Sequence, residues 1–129
     1  MEIRTKKRVE FADITADVEK AAAKVKSGVA CITTKHTTTG IKIMESEAGL
    51  MRDYERCLSS VLPKPPYEHD RSHCGDGNAD AHLKALFLPS SECVPIENGK
   101  LVLGAWQRVF FVEMDGPRTR EITIKVLEG

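Results

Sequence analysis

The stretch Cys93-Val94-Pro95-Ile96-Glu97-Asn98-Gly99-Lys100-Leu101-Val102-Leu103 consists of two short apolar runs joined at Asn98-Gly99. Asn-Gly supplies the positive φ angles of a tight hairpin turn, so the runs flanking it pair antiparallel. Two more strand-like runs follow. Residues 109–112 read Val-Phe-Phe-Val, and Ile122-Thr123-Ile124-Lys125-Val126 alternates apolar and polar with the strand period of two. Successive strands of this kind argue for an α+β fold, a largely antiparallel β-sandwich or half-barrel with two to three helices and about six strands, more than for βαβ repeats.

Upstream, residues 2–11 mix β-branched and charged side chains as a half-exposed strand does. A helical period then runs through Ile14, Val18, Ala21 and Val25, with Asp13 or Thr15 to cap it and Ser27-Gly28 to end it. Residues 29–34 are apolar and β-branched, a buried strand entering Lys35-His36-Thr37-Thr38-Thr39-Gly40, and residues 41–43 resume strand alternation. Ser46 and Glu47 signal a second helix whose apolar positions are Met51, Tyr54, Leu58 and Val61, stopped by Pro63, Pro65 and Pro66. Residues 67–78 are polar and aperiodic. A loop of that length in a small domain is expected to carry function. Residues 79–87 resemble a short third helix.

At 129 residues the chain corresponds to one domain with one core. Lysine plus arginine equals aspartate plus glutamate at 19 each, so no overall field favours nucleic acid or an anionic membrane. No apolar run is long enough to cross a bilayer, and the start Met1-Glu2-Ile3-Arg4 lacks a signal-peptide core, so a cytoplasmic location is expected. The four cysteines, Cys31, Cys57, Cys74 and Cys93, form no Cys-x-x-Cys pair. They read as reduced thiols, with Cys31 and Cys57 as core fillers.

His36 is displayed at a strand end beside three hydroxyl groups and a glycine, a position that suits a ligand as well as an ordinary turn histidine. His69, next to Asp70, and His82, near Lys84, flank the polar loop, with Asp76 and Asp80 between them. Histidine is the commonest metal ligand, and open zinc sites take three protein ligands plus water. No short fixed spacing links these histidines. His69-x-x-x-His73 would chelate only if helical, which Gly75 and Gly77 disfavour. No phosphate-binding Gly-x-x-x-x-Gly-Lys-Ser/Thr loop exists, and no cysteine sits at a helix start beside a base. Phosphate binding would therefore fall to Lys84, Arg118, Arg120 and loop amides, although Arg118 and Arg120 also fit a solvated strand edge.

Taken in order, Lys35-His36-Thr37-Thr38-Thr39-Gly40 through Glu45, then Tyr67-Glu68-His69-Asp70, Asn78-Ala79-Asp80-Ala81-His82-Leu83-Lys84, Ser91-x-x-Val94-Pro95-Ile96-x-x-Gly99 and Gly104-Ala105-Trp106-Gln107 resemble the YjbQ-like family over nearly the whole chain. The resemblance implies a homotrimer with a histidine-lined, metal-capable pocket near the subunit boundary. Family members are often labelled secondary thiamine-phosphate synthases, which implies coupling of a pyrimidine diphosphate to a thiazole phosphate. On this basis His36, His69 and His82 are the expected metal ligands, and Glu45 and Asp70 the expected catalytic carboxylates. Thr37, Thr38, Lys84, Trp106, Gln107 and Arg118 are the expected substrate contacts. Three imidazoles suit zinc and hydrolysis by metal-bound hydroxide; diphosphate displacement would call for magnesium on oxygen ligands. A metal- or ligand-binding trimer without catalysis is the third reading. Trimerisation also draws on the apolar run at residues 109–112, with Trp106 as a further contact, unless that strand is wholly internal. The chain departs from the family pattern at Met44, Ala105 and Met114, where an amide, a hydroxyl and an imidazole are usual.

Overall fold

Among the described residues every strand pairing is antiparallel, and the strands divide between two curled sheets. The computed structural model describes residues 1–72 and 75–129. His73 and Cys74, and with them the His69-x-x-x-His73 spacing, lie outside the described residues. In chain order the first elements are β1 (Glu2–Arg4), β2 (Glu10–Asp13), α1 (Thr15–Ala22), β3 (Ser27–Thr34), β4 (Thr39–Glu45) and α2 (Ala48–Ser60). There follow α3 (Glu68–Arg71), α4 (Ala79–Ala85), β5 (Ser91–Glu97), β6 (Lys100–Leu101), β7 (Gln107–Glu113) and β8 (Thr119–Glu128). One sheet has the order β1-β8-β3-β5-β6 and the other β2-β7-β4. The result is an α+β half-barrel, with one more helix than the sequence announces.

The hairpin forms as its sequence requires. Asn98 and Gly99 take φ values of 50° and 75°, and Ile96 pairs with Leu101 across the turn. Residues 2–11 split into two strands instead of one, because β1 pairs with β8 while β2 pairs with β7 in the other sheet. Amides of Lys6 and Lys7 donating to Glu10 Oε1 hold the bend between them. The N-cap position of α1 is Ile14, whose side chain caps nothing, instead of Asp13 or Thr15; Asp13 Oδ1 accepts the Thr15 amide from one residue further back. That helix ends at Ala22, not at Ser27-Gly28. Backbone bonds from Asn98 to Lys26 and from Gly99 to Val25 already draw the chain toward β3.

The main core lies between α1 and the two sheets, around Val18, Ile32, Ile41, Phe111 and Ile122, all buried. A second cluster of Ala81, Phe110, Val112 and Met114 fills the other face of β7 beneath α4. The apolar run at residues 109–112 is therefore covered on both faces within one chain and leaves nothing for a partner. Helix α2 has Glu47 as its N-cap, accepting from the Gly49 and Leu50 amides, and it buries no residue fully. Cys57 on that helix is exposed, and Cys31 is only half-buried on the outer face of β3, so neither fills the core.

Candidate functional site

The residues that converge do so where β4 begins and β7 ends. Thr39 pairs with Glu113 at this end, whereas Glu45 pairs with Gln107 at the other. A strand advances about 3.4 Å per residue, which separates those ends by roughly 20 Å. A cavity of about 360 Å³ opens at the Thr39 end, lined by Lys35, His36, Thr37, His82, Asp115 and Arg118 among others. Its lining is mainly polar and carries both signs of charge.

Asp115 organises this cavity. Its carboxylate accepts from Arg8 Nη1 at 2.6 Å, from Asn78 Nδ2 at 2.8 Å and from Arg118 Nη2 at 3.1 Å. Burial works to raise the Asp115 pKa, yet the Asn78 hydrogen bond and the charges of Arg8 and Arg118 outweigh it and hold the carboxyl below its ordinary value. Asn78, buried, uses its amide nitrogen on Asp115 and its oxygen to face His69 Nε2 at 3.1 Å. A line of polar contacts thus runs from His69 through Asn78 to Asp115 and the two arginines.

Behind the cavity floor lies an ion pair. Arg120 donates from Nε and Nη2 to the two oxygens of Glu113 at 2.9 and 2.7 Å, and from Nη2 to Thr38 Oγ1 at 2.9 Å. Glu113 also accepts from Thr5 Oγ1 and from the Met114 and Asp115 amides. Desolvation alone would raise the Glu113 pKa, but the hydrogen bonds from Arg120 and Thr5 and the Arg120 charge bring it below the usual value. Arg120 is consequently buried between the sheets and is no solvated edge; the adjacent Arg118 is the one that reaches solvent.

The three histidines are distributed around His82. His69 stands edge-on to it, with ring centroids 4.9 Å apart, beside a second cavity of about 450 Å³ that includes Tyr67 and Leu83. His36 lines the polar cavity with His82, but its Nε2 accepts the Glu121 amide at 3.0 Å, so that lone pair is engaged. Among the described residues, no group of three or more His, Cys, Asp or Glu side chains is placed to hold one metal ion.

Several expected roles shift. Glu45 does not face the histidine cavity: it is exposed at the far end of β4, where its carbonyl accepts from Tyr54. Trp106, 75% exposed, and Gln107, whose side chain accepts the Gly104 amide, lie at that same far end. Asp70, the other expected catalytic carboxylate, accepts the Ala79 amide at the start of α4. Lys84 is buried with its ammonium 3.7 Å from Asp80 and does not line the polar cavity. Thr37 and Thr38 both line the polar cavity, Thr37 exposed at its lip and Thr38 buried with its hydroxyl accepting from Arg120. Met114, where the family pattern has an imidazole, is fully buried in the second core cluster. Sequence reasoning missed Asp115, Asn78 and Arg8, since contacts spanning up to 107 positions leave no local spacing to find.

The fold and its cavity define a small antiparallel half-barrel with a polar, arginine- and histidine-lined pocket at one sheet end. The family profile described as UPF0047 protein YjbQ-like matches residues 1–129, and the chain belongs to that family. A UPF0047 protein of Archaeoglobus fulgidus is 47% identical over 126 residues, covering 97% of each chain. The UPF0047 protein YugU of Bacillus subtilis is 40% identical, over 98% of this chain and 96% of its own. A YbjQ-like protein of unknown function from Sulfolobus solfataricus superposes with a TM-score of 0.92 at 38% identity, covering 100% of this chain and 94% of that one. A YjbQ/UPF0047 protein from Clostridium acetobutylicum does so at 0.89 and 39%, covering 98% of both. No helix among the described residues is long and apolar enough to cross a membrane.

Proposed function

We propose that the polar cavity binds a small phosphorylated or otherwise anionic compound, as the substrate site of an enzyme. The observation that carries this reading is the joint placement of Lys35, Arg118 and Thr37 around a water-accessible space with His36 and His82. Guanidinium and ammonium donors make the short charge-assisted hydrogen bonds that a phosphate group takes, and Asp115 fixes the Arg118 fork in place. His82 faces the same space and can exchange a proton with the bound compound. Thiamine-phosphate synthesis, the transferase reaction implied by family resemblance, is one reaction that such a site could serve. Phosphoester hydrolysis is the other.

Calorimetric titration with inorganic phosphate, pyrophosphate and thiazole phosphate tests this. Wild-type protein should bind at least one of them, and Arg118→Ala should weaken that binding by about 10-fold or more, the worth of one charged hydrogen bond. Absence of binding at millimolar anion would remove the proposal.

A second reading places a divalent metal at His69 and His82, because paired imidazoles are nitrogen donors that favour zinc over magnesium. Two imidazoles fall short of the three protein ligands of an open zinc site, and His36 is engaged elsewhere. Metal analysis of wild type and His82→Ala decides it, stoichiometric metal lost in the variant being the supporting result. Assembly as a homotrimer has its support in the exposed apolar side chains Leu86, Phe87 and Trp106, and sedimentation at micromolar concentration tests it.

A further inference from the structure

Cys31 on β3 and Cys93 on β5 are direct cross-strand partners, with sulfur atoms 2.9 Å apart and both thiols free. The backbone bonds Thr34 to Ser90 and Asn98 to Lys26 fix the even-numbered residues of β3 as the hydrogen-bonded positions of this ladder. Cys31 and Cys93 therefore occupy a non-hydrogen-bonded pair, where Cα atoms approach to about 4.5 Å and side chains are closest. That spacing falls within the range a disulfide spans. The pair lies on the outer face of the sheet, Cys93 exposed and Cys31 half-buried, so a small reagent reaches it without unfolding. Lys125, the register partner of Cys31 on β8, places a cation on the same stretch of sheet. The Cys93 thiol is pushed up, first by its hydrogen bond with Cys31 and then by burial.

We infer that Cys31 and Cys93 form a redox modification site, a vicinal cross-strand dithiol that takes small-molecule disulfides as oxidant and closes to an intramolecular disulfide. One cysteine, after losing its proton, attacks a sulfur of the reagent R–S–S–R; the protein–SR bond forms, the reagent bond breaks and one RS⁻ leaves. The second cysteine loses its proton and attacks the protein sulfur of that mixed disulfide, expelling the second RS⁻. Both cysteines are oxidised, the reagent is reduced to two thiols, and the two released protons return to the two thiolates. The bond would tie β3 to β5 three positions before Thr34, beside the strand ends that lead into Lys35 and His36 on one side and Ser90 on the other. This places a redox-sensitive clamp on the strand that leads into the proposed binding cavity, four residues before Lys35, while using none of the cavity's residues.

The test uses the full chain with Cys57→Ser and Cys74→Ser, leaving only the pair, and glutathione disulfide as the probe. Incubation of the folded protein should take free thiols from two per chain to none, without a glutathione adduct and without a slower band on a non-reducing gel; dithiothreitol should restore both. With Cys93→Ser added, Cys31 should instead retain glutathione as a stable mixed disulfide. Peptide mapping of oxidised wild-type protein, which needs no variant, should show the Cys31–Cys93 link. Glutathione retained on both cysteines, covalent dimers, or thiols that react only in urea would each overturn the inference.

Discussion

Arg120→Ala is expected to remove a large share of the protein's stability, because it breaks a buried ion pair from one side. Glu113 is 0% and Arg120 8% exposed at the side chain, so neither charge can turn to water when its partner is lost. Glu113 accepts five hydrogen bonds, two of them from Arg120, and the substitution leaves a buried carboxylate with three neutral donors. Breaking a buried pair from one side costs about 3–5 kcal/mol. Against a total of about 5–15 kcal/mol for a domain, that lowers the melting temperature by about 10–20 °C. Glu113→Leu combined with Arg120→Met separates pairing from mere space-filling, because apolar groups of similar volume carry no desolvation penalty. In that double variant the Met114 amide keeps the Thr38 carbonyl and the Thr5 hydroxyl keeps the Arg118 carbonyl. The Asp115 amide loses its acceptor, which costs about 1–3 kcal/mol, and Thr38 Oγ1 loses its Arg120 donor in the double variant as it does in Arg120→Ala. The double variant should therefore melt above Arg120→Ala. Chemical denaturation with both variants measures the difference, and a loss under about 1 kcal/mol for Arg120→Ala, or a double variant less stable than the single, would refute the reasoning.

Acid should destabilise the protein through Glu113, Asp115 and Asp13, whose folded pKa values all lie below their ordinary ones. A depressed carboxyl contributes stability above its unfolded pKa and loses it as pH falls through the folded value, so denaturation midpoints should hold at neutral pH and drop below about pH 4; Glu113→Gln should show a shallower drop. Gly99→Ala forces a side chain into φ 75° and sets its Cβ 2.6 Å from the Ala23 carbonyl oxygen; thermal melting should reveal a loss of about 2 kcal/mol or more, and an unchanged midpoint would contradict the turn geometry. Cys57→Ser, at an exposed position of α2, should leave stability within about 0.5 kcal/mol, where a core cysteine would not.

The fold was legible wherever local chemistry dictates it. Asn98-Gly99 has one comfortable conformation, and strict alternation along residues 122–126 requires a strand with one buried face, so both readings held. The site was harder because its residues meet only through the sheets. Arg120 shows where more could have been read. Ile122, Ile124 and Val126 share the inward face of β8, and a period of two carries that face back to Arg120, which must then be buried and find an anion; Arg118, two residues earlier and just before the strand begins, escapes the constraint. Strand length corrects Glu45 in the same way, since a carboxylate six residues beyond Thr39 cannot face a cavity at the Thr39 end, whichever side of the sheet it occupies. Asp115 admits no such rescue. Its partners Arg8, Asn78 and Arg118 come from a bend between strands, a helix start and a strand approach, and only the docking of α4 against β4 and β7 brings them to one carboxylate. Parity and length recover the residues that a strand carries, whereas a charge network assembled from loops becomes visible only once the core has closed beneath it.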